Sequence, residues 1–197
     1  MIPNAAARRP PQVLCGQEEF QKLLWRLSRE LQERHPNGMG VTLCGIVTRG
    51  VFLADRLRRL IEMQGGGSWQ GVRLDVGPFR DDAPRLPSPE TGAGTIAFPL
   101  APATQEAVQG ATVVLVDDVL YHGRTARAAL AALAQLGRPN AVELLALVDR
   151  GHRELPLRAT YVGKNLPTSA AERVSVLVAG CDQEDAVLLH PLELHRP

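Results

Sequence analysis

The chain has 197 residues, enough for one domain with a sizeable core. Its 45% apolar and 22% charged content is that of an ordinary globular protein, and with only 4% aromatics the core must be mostly Leu, Val and Ala. A formal charge of +1 excludes a whole-molecule pull on polyanions, so any such site must be a local patch. Cys15, Cys44 and Cys181 are far apart and show no ligand spacing, which argues against structural zinc and a disulfide framework and for reduced thiols in the cytoplasm. No apolar run approaches the roughly 18 residues of a membrane span.

Residues 1–12 are rich in Pro, Ala and Arg and lack the apolar stretch of a signal peptide; a disordered extension is expected there, followed by one domain over 13–190 and a short tail over 191–197. Gln17 to Arg34 has helical periodicity, with Phe20, Leu23, Leu24, Leu27 and Leu31 as its apolar stripe. Val41 to Val47 reads as a buried strand before a Thr-Arg-Gly turn. Val51 to Gln64 then has helical spacing and stops at Gly65-Gly-Gly67. Strands are expected at Val72 to Phe79 and Thr95 to Leu100, with a mobile Pro- and Gly-rich hairpin loop between them.

Thr112 to Val116 reads as a strand, Thr125 to Leu136 as an Ala/Leu-rich helix and Ala141 to Val148 as a strand. Arg173 to Ala179 and Ala186 to Leu189 are two late strands. Strand and helix alternate over 41–79 and 112–148, which predicts an α/β fold with a mainly parallel sheet covered by helices. Ligands of such sheets bind outside the carboxyl ends of the strands. Thr48 to Gly50, Asp117 to Thr125 and Asp149 to Arg153 fall there and form the candidate site.

The segment Val113-Val-Leu-Val-Asp-Asp-Val-Leu-Tyr-His-Gly-Arg-Thr125 carries the chemistry. Two adjacent carboxylates follow a buried strand, and a Gly-containing turn leads into a helix. Gly123 lets the backbone approach a ligand, and Thr125 is placed to cap the helix. Helix-start amides and the positive dipole end suit a phosphate, whereas the carboxylates suit hydroxyl donors or a metal. A ribose 5-phosphate supplies phosphate and diol together. Paired Asp after an apolar strand also occurs in Walker-B ATPases and phospho-acceptor domains; the chain has no GxxxxGK[ST] to accompany a Walker-B strand. A purely structural strand-loop-helix turn is the third alternative.

This segment resembles the signature of type I phosphoribosyltransferases for phosphoribosyl pyrophosphate (PRPP). Gly45-Ile-Val-Thr-Arg-Gly50, Phe79-Arg-Asp-Asp82, Gly137-Arg-Pro139, Leu147-Val-Asp-Arg-Gly-His-Arg-Glu-Leu-Pro156 and Gly163-Lys-Asn-Leu-Pro-Thr-Ser169 are similar to the PyrR family, bifunctional RNA attenuators of pyrimidine operons and uracil phosphoribosyltransferases. The likeness implies the type I phosphoribosyltransferase fold with a small hood and a flexible hairpin loop over Arg80 to Gly94. It implies that Asp117 and Asp118 hold the ribose hydroxyls, within a nucleotide pocket that also takes in Val116, Val119 and Leu120. Tyr121, His122, Gly123, Arg124 and Thr125 would wrap the 5-phosphate. Thr48 and Arg49 would form the pyrophosphate loop, where this fold often holds a non-proline cis peptide, with Arg80 nearby and Arg150 beside the uracil.

The implied reaction takes uracil and PRPP to UMP and pyrophosphate, with Arg49 and Mg²⁺ on the departing group; the metal arrives on PRPP rather than in a protein cage. Three features depart from the family pattern: His122 stands where a hydroxyl residue is usual, Val47 replaces a basic residue, and the hairpin holds no Lys. His122 serves the phosphate through its ring or through its backbone amide alone. Alternatives to the bifunctional reading are a regulator with weak or lost transferase activity and a transferase for another base.

Lys22, Arg26 and Arg29 form a basic stripe opposite the apolar face of the first helix, either a solvated face or a binding surface. The resemblance implies RNA contacts from Arg26, Arg29 and Arg34, and from Arg153, Arg158, Lys164 and Thr168. Trp25 on the same helix either stacks on a base or packs against another subunit. The implied partners are a leader mRNA hairpin, UMP and UTP, and further copies of the chain in a dimer or larger assembly.

Overall fold

The computed structural model describes residues 10–80, 102–169 and 172–191. Two sheets organise them. Five parallel strands, β2 (Val41–Ile46), β3 (Gln70–Leu74), β4 (Thr112–Leu120), β5 (Ala141–Asp149) and β6 (Tyr161–Asn165), lie in the order β3-β2-β4-β5-β6. A small antiparallel sheet, the hood, joins β1 (Gln12–Cys15), β8 (Ala186–His190) and β7 (Arg173–Leu177) in that order.

Period-two alternation in the buried strands sorts side chains between two helical layers. Leu43, Val114, Val116, Leu145 and Leu147 pack under α1 (Gln17–Arg34) and α2 (Arg49–Met63). Cys44, Ile46, Val113, Leu115, Leu144 and Ala146 face the cluster of α3 (Pro102–Val108) and α4 (Arg124–Leu136). The stripe of α1 is buried at Phe20, Leu24, Leu27 and Leu31, and Glu18 and Glu19 in its first turn with Arg34 in its last complement the helix dipole. Trp69, 1% exposed, closes the layer beside α1; its indole Nε1 donates to Gly66 O at 3.0 Å.

Several boundaries move. β4 runs on to Leu120, so Asp117 and Asp118 lie within the strand rather than after it. The expected strand over Val72 to Phe79 ends at Leu74 and gives way to a 3-10 turn at Gly77–Phe79, where Pro78 removes a ladder donor. The late strand expected to reach Ala179 stops at Leu177. Gln12, assigned to the disordered extension, belongs to β1 and pairs with Leu189. β1, α3 and β6 were not foreseen. The strand expected over 95–100 and the hairpin loop beyond Arg80 lie outside the described residues.

The strand order reverses between β2 and β4: from β2 the chain crosses over α2 to β3, whereas from β4 it crosses over α4 to β5. The carboxyl ends diverge there and leave a crevice. Gly45 and Gly50 keep α2 close to it. A methyl on Gly50 would lie 2.2 Å from Val116 O, and one on Gly45 would lie 2.5 Å from Val51 Cα. Gly50→Ala is therefore expected to lower stability by about 3 kcal/mol through overpacking, read as the midpoint of urea unfolding.

Candidate active site

The crevice is walled by two segments that leave the sheet side by side. After β2 the peptide bond between Val47 and Thr48 is cis, and α2 begins at Arg49. β4 carries the two acids. Asp117, 7% exposed, accepts the Asp118 amide at 3.0 Å, and Asp118 Oδ1 accepts the Val119 amide at 2.8 Å. Burial and the neighbouring Asp118 charge push the Asp117 carboxyl well above the usual range, against an opposing pull from Arg80. Burial also raises Asp118, with the Val119 amide and the Arg49 charge opposing. Asp117 faces a cleft of about 210 Å³ that Arg80, Val119, Leu120 and Tyr121 to Ala126 also line.

That cleft ends on α4. Gly123 (φ 90°) is its N-cap, with no side-chain capping bond. Thr125 therefore does not cap the helix, contrary to the sequence expectation; only glycine turns the chain here without strain, and it leaves the hydroxyl free. The positive dipole end of α4 lies at this cleft, whose lining includes Arg124 to Ala126, and a helix start so placed suits an anion. His122 lies at the mouth: its ring stacks on Tyr121 at 3.7 Å, and Nδ1 is 3.4 Å from Glu154 Oε1.

The loop after β5 is fastened to this turn. The amides of Glu154 and Leu155 donate to His122 O, and the Arg150 amide donates to Leu120 O. Arg153 Nη1 donates to the carbonyls of Tyr121 (2.7 Å), Gly151 (3.0 Å) and Leu120 (3.3 Å), while Nη2 pairs with Asp149 at 2.5 Å. Glu154 also accepts Arg124 Nε at 2.8 Å. Arg150, 6% exposed, stacks 4.0 Å over Tyr121 and donates to Thr168 Oγ1 and Glu172 O. Its guanidinium is thus taken up by Tyr121, Thr168 and Glu172.

Arg49 is gripped by a residue the sequence reading missed. Its Nε and Nη2 donate to the two oxygens of Asp182 at 2.8 and 2.9 Å. Asp182 follows Gly180 in the β7–β8 turn, and the signal available was an acid cluster, Asp182 to Asp185, between two strands.

The basic residues separate into groups. Arg26 donates to the carbonyls of Val162 and Gly163, and Lys164 pairs with Glu19, so these two join α1 to β6 on one face. Arg29 lies 5.7 Å over Trp25, which is 53% exposed. Arg34 pairs with Glu143 at 2.8 Å, at the opposite end of α1 from Lys22. Arg158 is exposed, whereas Arg153 and Thr168 are turned inward.

Residues 16–178 match the family model of the phosphoribosyl transferase domain. A bifunctional protein PyrR from Leifsonia xyli is 45% identical over 90% of this chain and 95% of its own length. One from Streptomyces coelicolor is 48% identical over 87% and 85%, and one from Bacillus velezensis 41% over 92% and 97%. Among solved structures, the HGPRT-ase of Leishmania tarentolae in complex with GMP aligns with a TM-score of 0.64 at 12% identity, covering 94% of this chain and all 100% of the other. The hypoxanthine phosphoribosyltransferase of Trypanosoma cruzi gives 0.63 at 15% identity over 92% and 97%. At these identities the structures show the fold.

The raised Asp117 carboxyl sets a pH dependence. The folded chain holds this proton more tightly than the unfolded chain, so stability falls as pH rises from the ordinary carboxylate range through the raised value. Asp117→Asn has no such proton to lose. In the ligand-free protein it is expected to melt at a higher temperature than the parent at pH 8. The gap should close toward pH 4 in thermal denaturation.

Proposed function

The chain belongs to the PyrR family of phosphoribosyltransferases, and from that membership we infer that it converts uracil and PRPP to UMP and pyrophosphate and also regulates pyrimidine genes by binding RNA. One observation carries the site reading: the switch-point crevice joins the paired acids Asp117 and Asp118 of β4 to a helix start suited to a phosphate, with Asp117 lining the same cleft as that helix start.

In this reading the ribose hydroxyls donate to Asp117 and Asp118, and the 5-phosphate takes the amides that open α4. Arg49 and Arg80 flank the anionic end of PRPP. Uracil meets the backbone that follows β5, which Arg150 steadies by its stack on Tyr121. The transition state is oxocarbenium-like, so the protein needs no nucleophile; it orients two reactants, keeps water out and stabilises departing pyrophosphate.

Among the described residues no cluster of three His, Cys, Asp or Glu side chains is placed to hold a metal. Mg²⁺ carried in on PRPP would neutralise diphosphate charge, with its waters meeting the carboxylates of Asp117 and Asp118. Among the described residues no helix is long and apolar enough to cross a membrane, and a cytoplasmic location suits the chemistry.

For RNA, exposed Arg158 and Arg29 would meet phosphates, with Arg26 and Lys164 on the α1–β6 face and Arg34 at its far end. Exposed Trp25 would stack on an unpaired base. Arg153 and Thr168 act indirectly: Arg153 fastens the loop bearing Arg158 to the phosphate turn, and Thr168 holds Arg150 and His152 at the start of that loop. A nucleotide that orders Tyr121 to Thr125 thereby orders the RNA loop, which supports stimulation of RNA binding by UMP and UTP. Assembly into dimers or larger oligomers belongs to the same proposal.

Two outcomes are expected. Asp118→Asn should cut UMP synthesis from uracil and PRPP at least a hundredfold; turnover within twofold of the parent would contradict the assignment. Arg158→Ala and Arg29→Ala should each weaken binding of a pyrimidine leader hairpin, with a shallower salt dependence than the parent, in filter binding with UMP present. Affinity indifferent to UMP would remove the proposed link between loop and nucleotide.

A further inference from the structure

The hood and α2 meet along one line of side chains. Arg49, Phe52 and Arg56, spaced i, i+3 and i+7, share a face of α2. Against them lie Asp182, Gly180 and Asp185 of the β7–β8 turn. Arg56 pairs with both oxygens of Asp185 at 2.6 and 2.8 Å, and a methyl on Gly180 would lie 2.7 Å from the Phe52 ring. Arg56–Asp185 is the inner clamp, with Asp185 only 3% exposed at its side chain. Arg49–Asp182 is the outer one, at the crevice.

The two clamps are built differently. Arg49 keeps 37% of its side chain exposed and uses only the Nε–Nη2 edge on Asp182. The edge bearing Nη1 makes no hydrogen bond to the described residues, and the Asp118 charge acts on the guanidinium. Asp182 is itself held, by the Val178 amide at 2.8 Å, and Cys181 Sγ donates to it at 3.4 Å. The Arg49 guanidinium keeps this carboxyl down at about 2, so it is ionised wherever the protein works. A fixed anion behind one edge of a planar guanidinium removes the rotation of a long side chain and aims the other edge.

We propose that Asp182 is a positioning residue for the transfer reaction, holding Arg49 from the hood so that its Nη1 edge meets the pyrophosphate. This rests on the assignment of Arg49 to pyrophosphate made above.

The test uses the full chain and the inhibition constant of pyrophosphate with Mg²⁺, alongside UMP affinity, since UMP lacks the pyrophosphate. Arg49→Ala is expected to raise the inhibition constant more than tenfold. Asp182→Asn should raise it, and the KM for PRPP, about tenfold while leaving UMP affinity within twofold; Asp182→Glu should recover part of the loss. With Arg49 already replaced by Ala, adding Asp182→Asn should change the constant less than twofold. Asp185→Asn should lower the melting temperature and leave pyrophosphate inhibition unchanged. An unaltered constant in Asp182→Asn, an equal loss for UMP and pyrophosphate, or a full Asp182 effect without Arg49 would each overturn the proposal. Unaltered inhibition in Arg49→Ala would instead overturn the assignment of Arg49. One measurement needs no variant: the Arg49 Nε–H, followed by ¹⁵N NMR in the parent protein, should stay protected at saturating magnesium pyrophosphate. Fast exchange on binding would contradict a retained Asp182 pair.

Discussion

Everything at this site depends on how closely α2 approaches β4. Gly50 sits so near Val116 O that no side chain fits between them. That contact brings the β2 exit, with Thr48 and Arg49, to the same crevice as Asp117 and Asp118. The reversal of strand order supplies the crevice, and glycine supplies its narrowness. Under the proposed assignment, pyrophosphate and ribose are grasped by residues from two separate strands without a long loop.

Within that frame, stability is traded for binding. Burial raises the proton affinity of both carboxylates, and the Asp118 charge raises that of Asp117 further, with Arg80 and Arg49 pulling the other way. In the proposed reading, a diol relieves this by donating hydrogen bonds. The arginines mostly serve the frame: Arg56 fixes the hood, Arg153 the loop after β5, Arg150 the Tyr121 ring and Arg26 the edge strand.

Much of this was legible in the sequence. Helical period alone placed α1 at its observed bounds, and the run from Val113 to Thr125 was read as strand, acids, turn and helix, with the strand end placed too early. Short elements were missed for a physical reason. β1 has four residues and exists because β8 supplies its ladder; β6 contains Gly163, tolerated because a methyl there would meet Leu147 O at 2.3 Å. Asp182 and Glu154 escaped notice because their partners are remote in sequence or across a turn. The same blindness made Arg153 look like a surface charge. Identity of residue type was readable; direction of the side chain was not.

The central claim is that one cleft takes both the diol and the phosphate of a ribose 5-phosphate. A crystal structure with UMP bound tests it most directly. The account predicts ribose hydroxyl oxygens within hydrogen-bond distance of Asp117 and Asp118, and phosphate oxygens on the amides between Gly123 and Ala126. A phosphate seated away from the start of α4, or a ribose turned from the two acids, would contradict it.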